Sequence, residues 1–472
     1  MRILHISAEC YPVAKVGGLA DVVGALPKYQ SKKGNDIDVV MPFYDNPYTK
    51  KSHFEGVHNA TFNLGDVEFA FEVLKLNGHS NLGYNLFIVK IPGLLDRENV
   101  YSYDDDTERF TAFQIVVMDW VLQLQKKPEI IHCHDHHTGL VPFMMSHCNK
   151  YRTLKKIPSI LTIHNAQYQG WFGYNKLHYI PDFDASGAGL LDWNEQINPL
   201  ATAIKCAWKV TTVSPGYMEE LKLKANDLES LIDHESPKES GILNGIDPDF
   251  WNPGKDNMII ENYSTKTHVS GKAANKEWLC NKYNLDIEKP LFIFIGRLVW
   301  EKGADLLPDV FYHSLINDDI KLNILVLGSG SSDVEQRLKD LVSPFRGSYN
   351  VHIGYEEKLS HIMYAGADFL LMPSRIEPCG LNQMYALKYG TVPVVRRTGG
   401  LKDTVIDIGD NGFGICHEQA SVGDVCHAIT RAVMLYKDQE EIKKIKDKIM
   451  QIDHSWDNSA KQYNQLYESL IN

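Results

Sequence analysis

The sequence predicts an α/β protein built from two Rossmann-like, doubly wound domains that face each other across a cleft. Three observations lead there. The chain has 472 residues, enough for two large domains at roughly 100–200 residues each. Short runs rich in Val and Ile alternate with helical patterns through most of its length, as expected of parallel strands covered by helices on both sides. That alternation also comes in two series, separated by a stretch without strand signals.

The first series opens with Ile3-Leu4-His5-Ile6 and continues through Ile37-Val40, Asn85-Val89, Ile130-Cys133, Ser159-Ile163 and Lys209-Val213. The second comprises Leu291-Ile295, Lys321-Leu327, Val351-Gly354, Phe369-Met372 and Val392-Val394. Between them, Asn244-Gly245-Ile246-Asp247-Pro248 and Trp251-Asn252-Pro253-Gly254 carry turn chemistry. A polar segment from Met258 to Glu288 follows, with a helical pattern over Gly271–Tyr283. The expected domains are therefore 1–243 and 244–452. A final amphipathic helix over 453–472, with Trp456, Tyr463 and Leu466, is expected to cross back to the first domain.

Composition narrows the function. Apolar residues make up 44% of the chain and charged residues 23%, with a net charge of −12. These are the proportions of a globular protein, and the negative balance supplies no attraction to nucleic acid or an anionic membrane. A neutral partner such as a glucan suits it. Eight scattered cysteines without a CxxC pair read as buried thiols in a reducing compartment. No run of ~18 apolar residues spans a bilayer, and the short apolar start does not read as a secretion signal, so the cytoplasm is the expected location.

Chemistry first surfaces at Lys15-Val16-Gly17-Gly18-Leu19-Ala20-Asp21-Val22-Val23, after the first strand and opening a helix that ends near Lys28. Paired glycines let backbone approach an anion, a helix N-terminus offers unpaired amides, and Lys15 adds a mobile cation. Asp21 follows on the first turn. Arg297 and Lys302 lie just past the first strand of the second series, where two cations suit a diphosphate leaving group whose charge develops in the transition state. Thr398-Gly399-Gly400-Leu401 stands between a strand and a helical pattern and reads as a second nest for phosphate oxygens. Glu377 occupies a loop after a strand, its backbone restricted by Pro378. His132 and His134 alternate on one strand face and could chelate a metal. Tyr355 offers an aromatic face to a nucleotide base.

These motifs are similar to those of bacterial glycogen synthases and plant starch synthases, glycosyltransferase family 5. The resemblance is carried by the Lys-X-Gly-Gly-Leu-Ala-Asp-Val block, His132–Gly139, Thr162-Ile163-His164-Asn165, Tyr168-Gln169-Gly170, Val213-Ser214-Pro215 and Leu243–Ile246. It continues through Gly296-Arg297-Leu298 with Lys302-Gly303, Pro373-Ser374-Arg375, Glu377-Pro378-Cys379-Gly380-Leu381, Lys388-Tyr389-Gly390 and Arg396–Leu401. It covers nearly the whole chain. It implies the two-domain GT-B fold and retaining transfer of glucose from ADP-glucose, or alternatively UDP-glucose, to the non-reducing 4-hydroxyl of an α-1,4-glucan. It further implies that no metal or other cofactor is required.

By the same resemblance, Glu377, His164, Asp135 and Lys15 are the expected catalytic residues. Lys15, Gly17, Gly18, Asp21, Arg297, Lys302, Tyr355 and Thr398–Leu401 are expected around the nucleotide sugar. Glu9, His137, Asn165, Gln169, Asn244, Cys379 and Gly380 are expected on the sugar and acceptor side. Closure of the cleft is expected to bring Lys15 and the glycine pair onto the phosphates. Front-face substitution is favoured over double displacement, because no carboxylate is identifiable as a covalent nucleophile. Tyr385 occupies the second position of the Glu-x7-Glu pattern of the related family 4, as family 5 predicts. Two departures stand out: His136 stands where the family commonly has Trp, and Pro92-Gly93-Leu94-Leu95-Asp96-Arg97 lacks the aromatic that relatives often carry before Asp-Arg. A catalytically silent glucan-binding homologue and a metal-dependent hydrolase built on the histidines are the rival readings.

Overall fold

The computed structural model describes residues 1–77 and 82–471. The chain divides into two compact units, one formed by residues 1–243 with the segment from Trp456 onward, the other by Asn244–Ser455.

The first unit is built on a nine-stranded sheet. Its strands are β1 (Arg2–Ile6), β2 (Asp36–Pro42), β3 (Phe54–Leu64), β4 (Val67–Leu76), β5 (Asn85–Lys90), β6 (Ile130–His134), β7 (Ser159–Ile163), β8 (Lys209–Thr212) and β9 (Glu239–Gly241), in the spatial order β9-β8-β7-β6-β1-β2-β5-β4-β3. The central strands run parallel and are buried along nearly their whole length, which is why they read as continuous apolar runs. The β3–β4 hairpin is antiparallel, turning at Gly65-Asp66 with Gly65 at φ 58°. It forms the sheet edge and alternates mostly exposed residues with a few buried ones. No apolar run marks it, and the sequence reading passed over it.

Helix α1 (Gly18–Lys32) runs four residues beyond the expected end at Lys28, continuing past Pro27. Its buried face holds Leu19, Val22, Val23, Leu26, Tyr29 and Gln30. The C-terminal helix spans Trp456–Ile471 and buries Trp456, Ala460, Tyr463 and Tyr467 in the same core as Ile3, Val22 and Leu26. It starts three residues later than expected, because residues 453–455 stay with the second unit. There the Ile246 N–H donates to the His454 carbonyl at 2.8 Å. Asn472, the last residue of the expected segment, lies outside the described residues.

The second unit carries a parallel six-stranded sheet, β10 (Leu291–Ile295), β11 (Asn323–Gly328), β12 (Tyr349–Ile353), β13 (Phe369–Met372), β14 (Val392–Arg396) and β15 (Ile415–His417), ordered β12-β11-β10-β13-β14-β15. Strand β11 begins two residues after the expected Lys321, and the expected helix at Gly271 begins at His268. One apolar core lies on each face of the sheet, around Phe292, Val326 and Leu371 on one side and Ile293, Leu325 and Leu370 on the other. Alternate residues of each strand feed the two faces. Among the described residues no helix is long and apolar enough to cross a membrane, and all eight cysteines are free thiols.

Candidate active site

In the second unit the carboxyl end of β10 leads through Gly296 into Arg297 and Lys302. Arg297 is exposed, and among the described residues it pairs with no carboxylate. Lys302 is half-buried and places its ammonium 2.6 and 2.7 Å from the two oxygens of Glu377. Ser374 Oγ donates to Glu377 Oε2 at 2.9 Å. Glu377 is buried, and these short bonds hold its side chain in place. Gly303, in the left-handed region at φ 69°, lets the loop fold against β13. A Cβ there would lie 2.4 Å from the Pro373 carbonyl.

The Thr398–Leu401 turn packs on the backbone of the Glu377 loop. The Gly400 N–H donates to the Glu377 carbonyl at 3.1 Å and the Leu401 N–H to the Thr398 carbonyl at 3.0 Å. A Cβ on Gly399 would meet the Glu377 carbonyl at 2.1 Å, and one on Gly400 the Cys379 carbonyl at 2.2 Å. Two amides of the expected phosphate nest are thus already engaged, and the glycine pair is required by close packing that shapes the Glu377 loop. Cys379 is buried and receives a hydrogen bond from the Asn244 amide. Burial pushes its thiol up to about 12, so it is inert as a nucleophile. The Asn244 Oδ1 is buried without a partner. Gly380 turns at φ 73° above Gln383. Tyr355 is 84% exposed. Tyr385 stacks on Trp251 at 3.7 Å, and Trp251 stacks in turn on His361 at 4.1 Å. The position that holds a second acid in family 4 is here part of an aromatic column.

In the first unit Lys15 is exposed and bonds Asp21 Oδ1 at 2.7 Å, at the N-terminal turn of α1. Burial raises the Asp21 carboxyl, and Lys15 partly offsets this. A Cβ on Gly17 or Gly18 would meet nothing within 4 Å, so no packing within the chain demands glycine there. The amides of Val16 and Gly17 donate to Glu9 Oε2 at 2.5 and 3.1 Å, and Tyr101 OH donates to Glu9 Oε1 at 2.7 Å. Glu9, expected on the sugar side, is therefore the anchor of the glycine loop. Tyr101, which the sequence reading missed, stacks on His137 at 4.6 Å and joins the two.

Asp135 follows β6 with φ 56° and ψ −177°, a conformation almost confined to glycine and costly for any other residue. Strain of this kind persists where the surroundings hold it, and here they do. Its carboxylate accepts the His164 amide at 2.7 Å and also the Asn165 amide. Burial nevertheless pushes the carboxyl up to about 7, with Glu9 adding to the rise. His164 follows β7 directly and is buried; burial lowers its pKa to about 3, so the ring is neutral. His137 is likewise held well below its ordinary value by burial first, and by His136 and Arg109. Gln169 is turned inward, contrary to expectation. It donates to the Asn226 carbonyl at 2.7 Å and accepts from Asn198 at 2.7 Å, which makes it a strut of the wall. Gly170, at φ 69°, passes so close to His136 that a Cβ would lie 2.3 Å from the ring.

The histidine cluster draws in a member from β1. Nitrogens of His5, His132 and His134 lie within 4.8 Å of one another, the spacing of a metal site. Every ring nitrogen of the three is engaged, however. His5 bonds Gln30 and His134, His132 bonds Tyr467 and Thr162, and His134 bonds His5 and His164. The cluster is a hydrogen-bonded network, with no lone pair turned to a common point.

Two family models match the chain, the starch synthase catalytic domain over residues 2–234 and glycosyl transferases group 1 over residues 275–449. A glycogen synthase from Flavobacterium johnsoniae is 55% identical over 100% of this chain and 99% of its own length. One from Anoxybacillus flavithermus is 35% identical over 100% and 98%. The catalytic domain of starch synthase IV from Arabidopsis thaliana, solved bound to ADP and acarbose, matches with a TM-score of 0.87 at 31% identity, covering 99% of both chains. Sucrose-phosphate synthase from Thermosynechococcus elongatus shares the fold alone, with a TM-score of 0.62 at 17% identity. With the Lys302–Glu377 and Asp135–His164 constellations in the two α/β units, these matches mean that the chain belongs to the glycogen and starch synthase family of GT-B glycosyltransferases.

Proposed function

We propose that the protein transfers glucose from ADP-glucose to the non-reducing 4-hydroxyl of an α-1,4-glucan, with retention of configuration and without a metal. The observation that carries this reading is the Lys302–Glu377–Ser374 arrangement beside exposed Arg297. A lysine ammonium has three donors, and two are spent on Glu377, which leaves one for a phosphate oxygen. Arg297 adds a fork matched to phosphate. Together they stabilise negative charge as it develops on the leaving ADP, the work a metal would otherwise do. The ADP carried by the Arabidopsis relative supports adenine over uracil as the base.

As the bond to the diphosphate weakens, the glucosyl carbon gains positive character. Glu377, fixed by three hydrogen bonds from Lys302 and Ser374, is suited to hold the donor sugar. The same bonds blunt it as a nucleophile, which supports front-face attack by the glucan hydroxyl. Asp135 and neutral His164 belong to the sugar side, and Lys15, tethered by Asp21, adds a further cation for the phosphates. The experiment is incorporation of glucose into glycogen from ADP-glucose and from UDP-glucose, with and without a chelator. ADP release with ADP-glucose preferred supports the reading. Preference for UDP-glucose changes the donor, and absence of transfer with either leaves a silent glucan-binding homologue.

A further inference from the structure

Two buried chains of hydrogen bonds meet at Gln30, the one polar residue on the apolar face of α1. Gln30 is 0% exposed, as are His5, His132 and His134. Gln30 Nε2 donates to Tyr467 OH at 3.1 Å and Gln30 Oε1 lies 2.8 Å from His5 Nε2. An amide oxygen only accepts, so His5 carries its proton on Nε2 and presents Nδ1 as an acceptor. His134 Nε2, 3.0 Å away, must then donate, which turns His134 Nδ1 into an acceptor. His164 Nε2, 3.0 Å from that atom, must donate in its turn.

The other arm checks the direction independently, since amide orientation and histidine tautomers are assigned from the network. Tyr467, having accepted from Gln30, gives its proton to His132 Nδ1 at 2.6 Å. His132 Nε2 then donates to Thr162 Oγ1, and Thr162 to Thr211 Oγ1, each at 2.6 Å. Thr211 Oγ1 donates to the Leu161 carbonyl at 3.3 Å, a group that can only accept. Flipping the Gln30 amide would reverse every link and turn the Thr211 proton away from that carbonyl.

We infer that Gln30 is a positioning residue which, through His5 and His134, fixes the proton of His164 on Nε2 and leaves the Nδ1 lone pair to face the sugar. This deepens the proposed function and rests on it only for the identity of the sugar. A ring locked in this form accepts a sugar hydroxyl and brings no positive charge near a carbon that is itself becoming positive. The relay moves no net proton.

The test is nitrogen–proton correlation spectroscopy of the full chain labelled with 15N-histidine at pH 7.5, without sugar, the His164 signal being assigned by its loss in His164→Asn. The expected spectrum has His164 protonated at Nε2 only. Gln30→Met keeps the side-chain length and removes both bonds. It is expected to give His164 as a tautomer mixture and to lower kcat roughly tenfold with the donor KM nearly unchanged. Leu26→Ala, on the same helix face, removes core packing alone and is expected to leave the His164 spectrum as in the parent. A proton on His164 Nδ1 in the parent, an unchanged His164 in Gln30→Met, or an equal tautomer mixture in Leu26→Ala overturns the inference. So does about one equivalent of bound metal with loss of the His134 Nε2 proton. The spectrum is read without any transfer assay, so a failed glucose transfer would refute the proposed function and leave the relay standing.

Discussion

Lys302 spans both carboxylate oxygens of Glu377, at 2.6 and 2.7 Å, from a loop 75 residues away in sequence. Each side chain thus fixes the other. Lys302→Ala would leave a buried carboxylate with Ser374 as its remaining side-chain donor, and Glu377→Gln would keep the shape while removing the charge. Either variant is expected to lower turnover by at least ~100-fold, the scale on which single transition-state stabilisers act, with far-UV circular dichroism like that of the parent. Near-parental turnover in one variant removes that residue from the mechanism.

The two glycine pairs are expected to respond oppositely to alanine. At Gly400 a methyl group meets the Cys379 carbonyl at 2.2 Å, so Gly400→Ala must displace the Glu377 loop. A loss of ~1–3 kcal/mol in urea unfolding and a fall in turnover are expected. At Gly17 nothing lies within 4 Å of the added methyl and the backbone is extended. Gly17→Ala is expected to fold with equal or slightly greater stability, while its Kd for ADP, measured by calorimetry, rises about tenfold, or ~1.4 kcal/mol. Unaltered ADP binding would show that this turn does not meet the phosphates.

Acid should destabilise the first unit through its buried imidazoles. His5 and His136 are lowered to about 4 and His164 to about 3, while His132, His134 and His137 lie well below their ordinary value, in each case chiefly through burial. The unfolded chain binds protons at these six from about pH 6.5 downward and the folded chain does not. Stability is therefore lost as pH falls from 6.5 toward 4, with a ceiling of about 1.4 kcal/mol per imidazole per pH unit. Asp135, raised to about 7 in the folded chain, acts in the opposite sense, holding a proton that the unfolded chain has released above about pH 4. Glu239, raised to about 7, and Asp21, also raised, each chiefly by burial, act with Asp135. Six sites outweigh three. Urea unfolding is expected to show lower stability at pH 5.5 than at 7.5, and a flat profile would contradict the buried neutral network.

Removal of metals should change nothing. The nitrogens that would ligate an ion at His5, His132 and His134 are bonded to protein, and Lys302 with Arg297 is suited to neutralise the diphosphate. Transfer rates after dialysis against a chelator are expected to match the untreated rates within about twofold. A loss restored by one divalent ion would revive metal-assisted departure of the leaving group.

Much of this was legible in the sequence, for a physical reason. Strands buried on both faces must be apolar throughout, so β1, β7, β10 and β13 announce themselves, and Ser159–Ile163, Leu291–Ile295 and Phe369–Met372 have the very limits read from sequence. The β3–β4 hairpin lies at an edge with most side chains in solvent, and its signal is the alternation of Val67, Phe69, Phe71 and Val73 with other residues rather than a continuous apolar run. Glu377, Lys302 and Asp135 stood out by motif. Two of their supports did not: Tyr101 and Gln30 act through contacts between segments distant in sequence. Gln30 did leave a trace, as a glutamine on a helical face otherwise made of Leu, Val, Ala, Pro and Tyr. The strain at Asp135 is a property of its backbone and has no counterpart in composition.

The bond between Gln30 and Tyr467 joins positions 437 apart, with the whole second unit made in between. During synthesis at about 5–20 residues per second, the groove that receives the C-terminal helix waits on the order of tens of seconds for its occupant. Throughout that interval Leu26, Val22 and Ile3 lack the Trp456 and Tyr463 rings that cover them in the finished molecule. The nascent first unit thus leaves the ribosome with a sticky seam, and a holding chaperone would find its grip there.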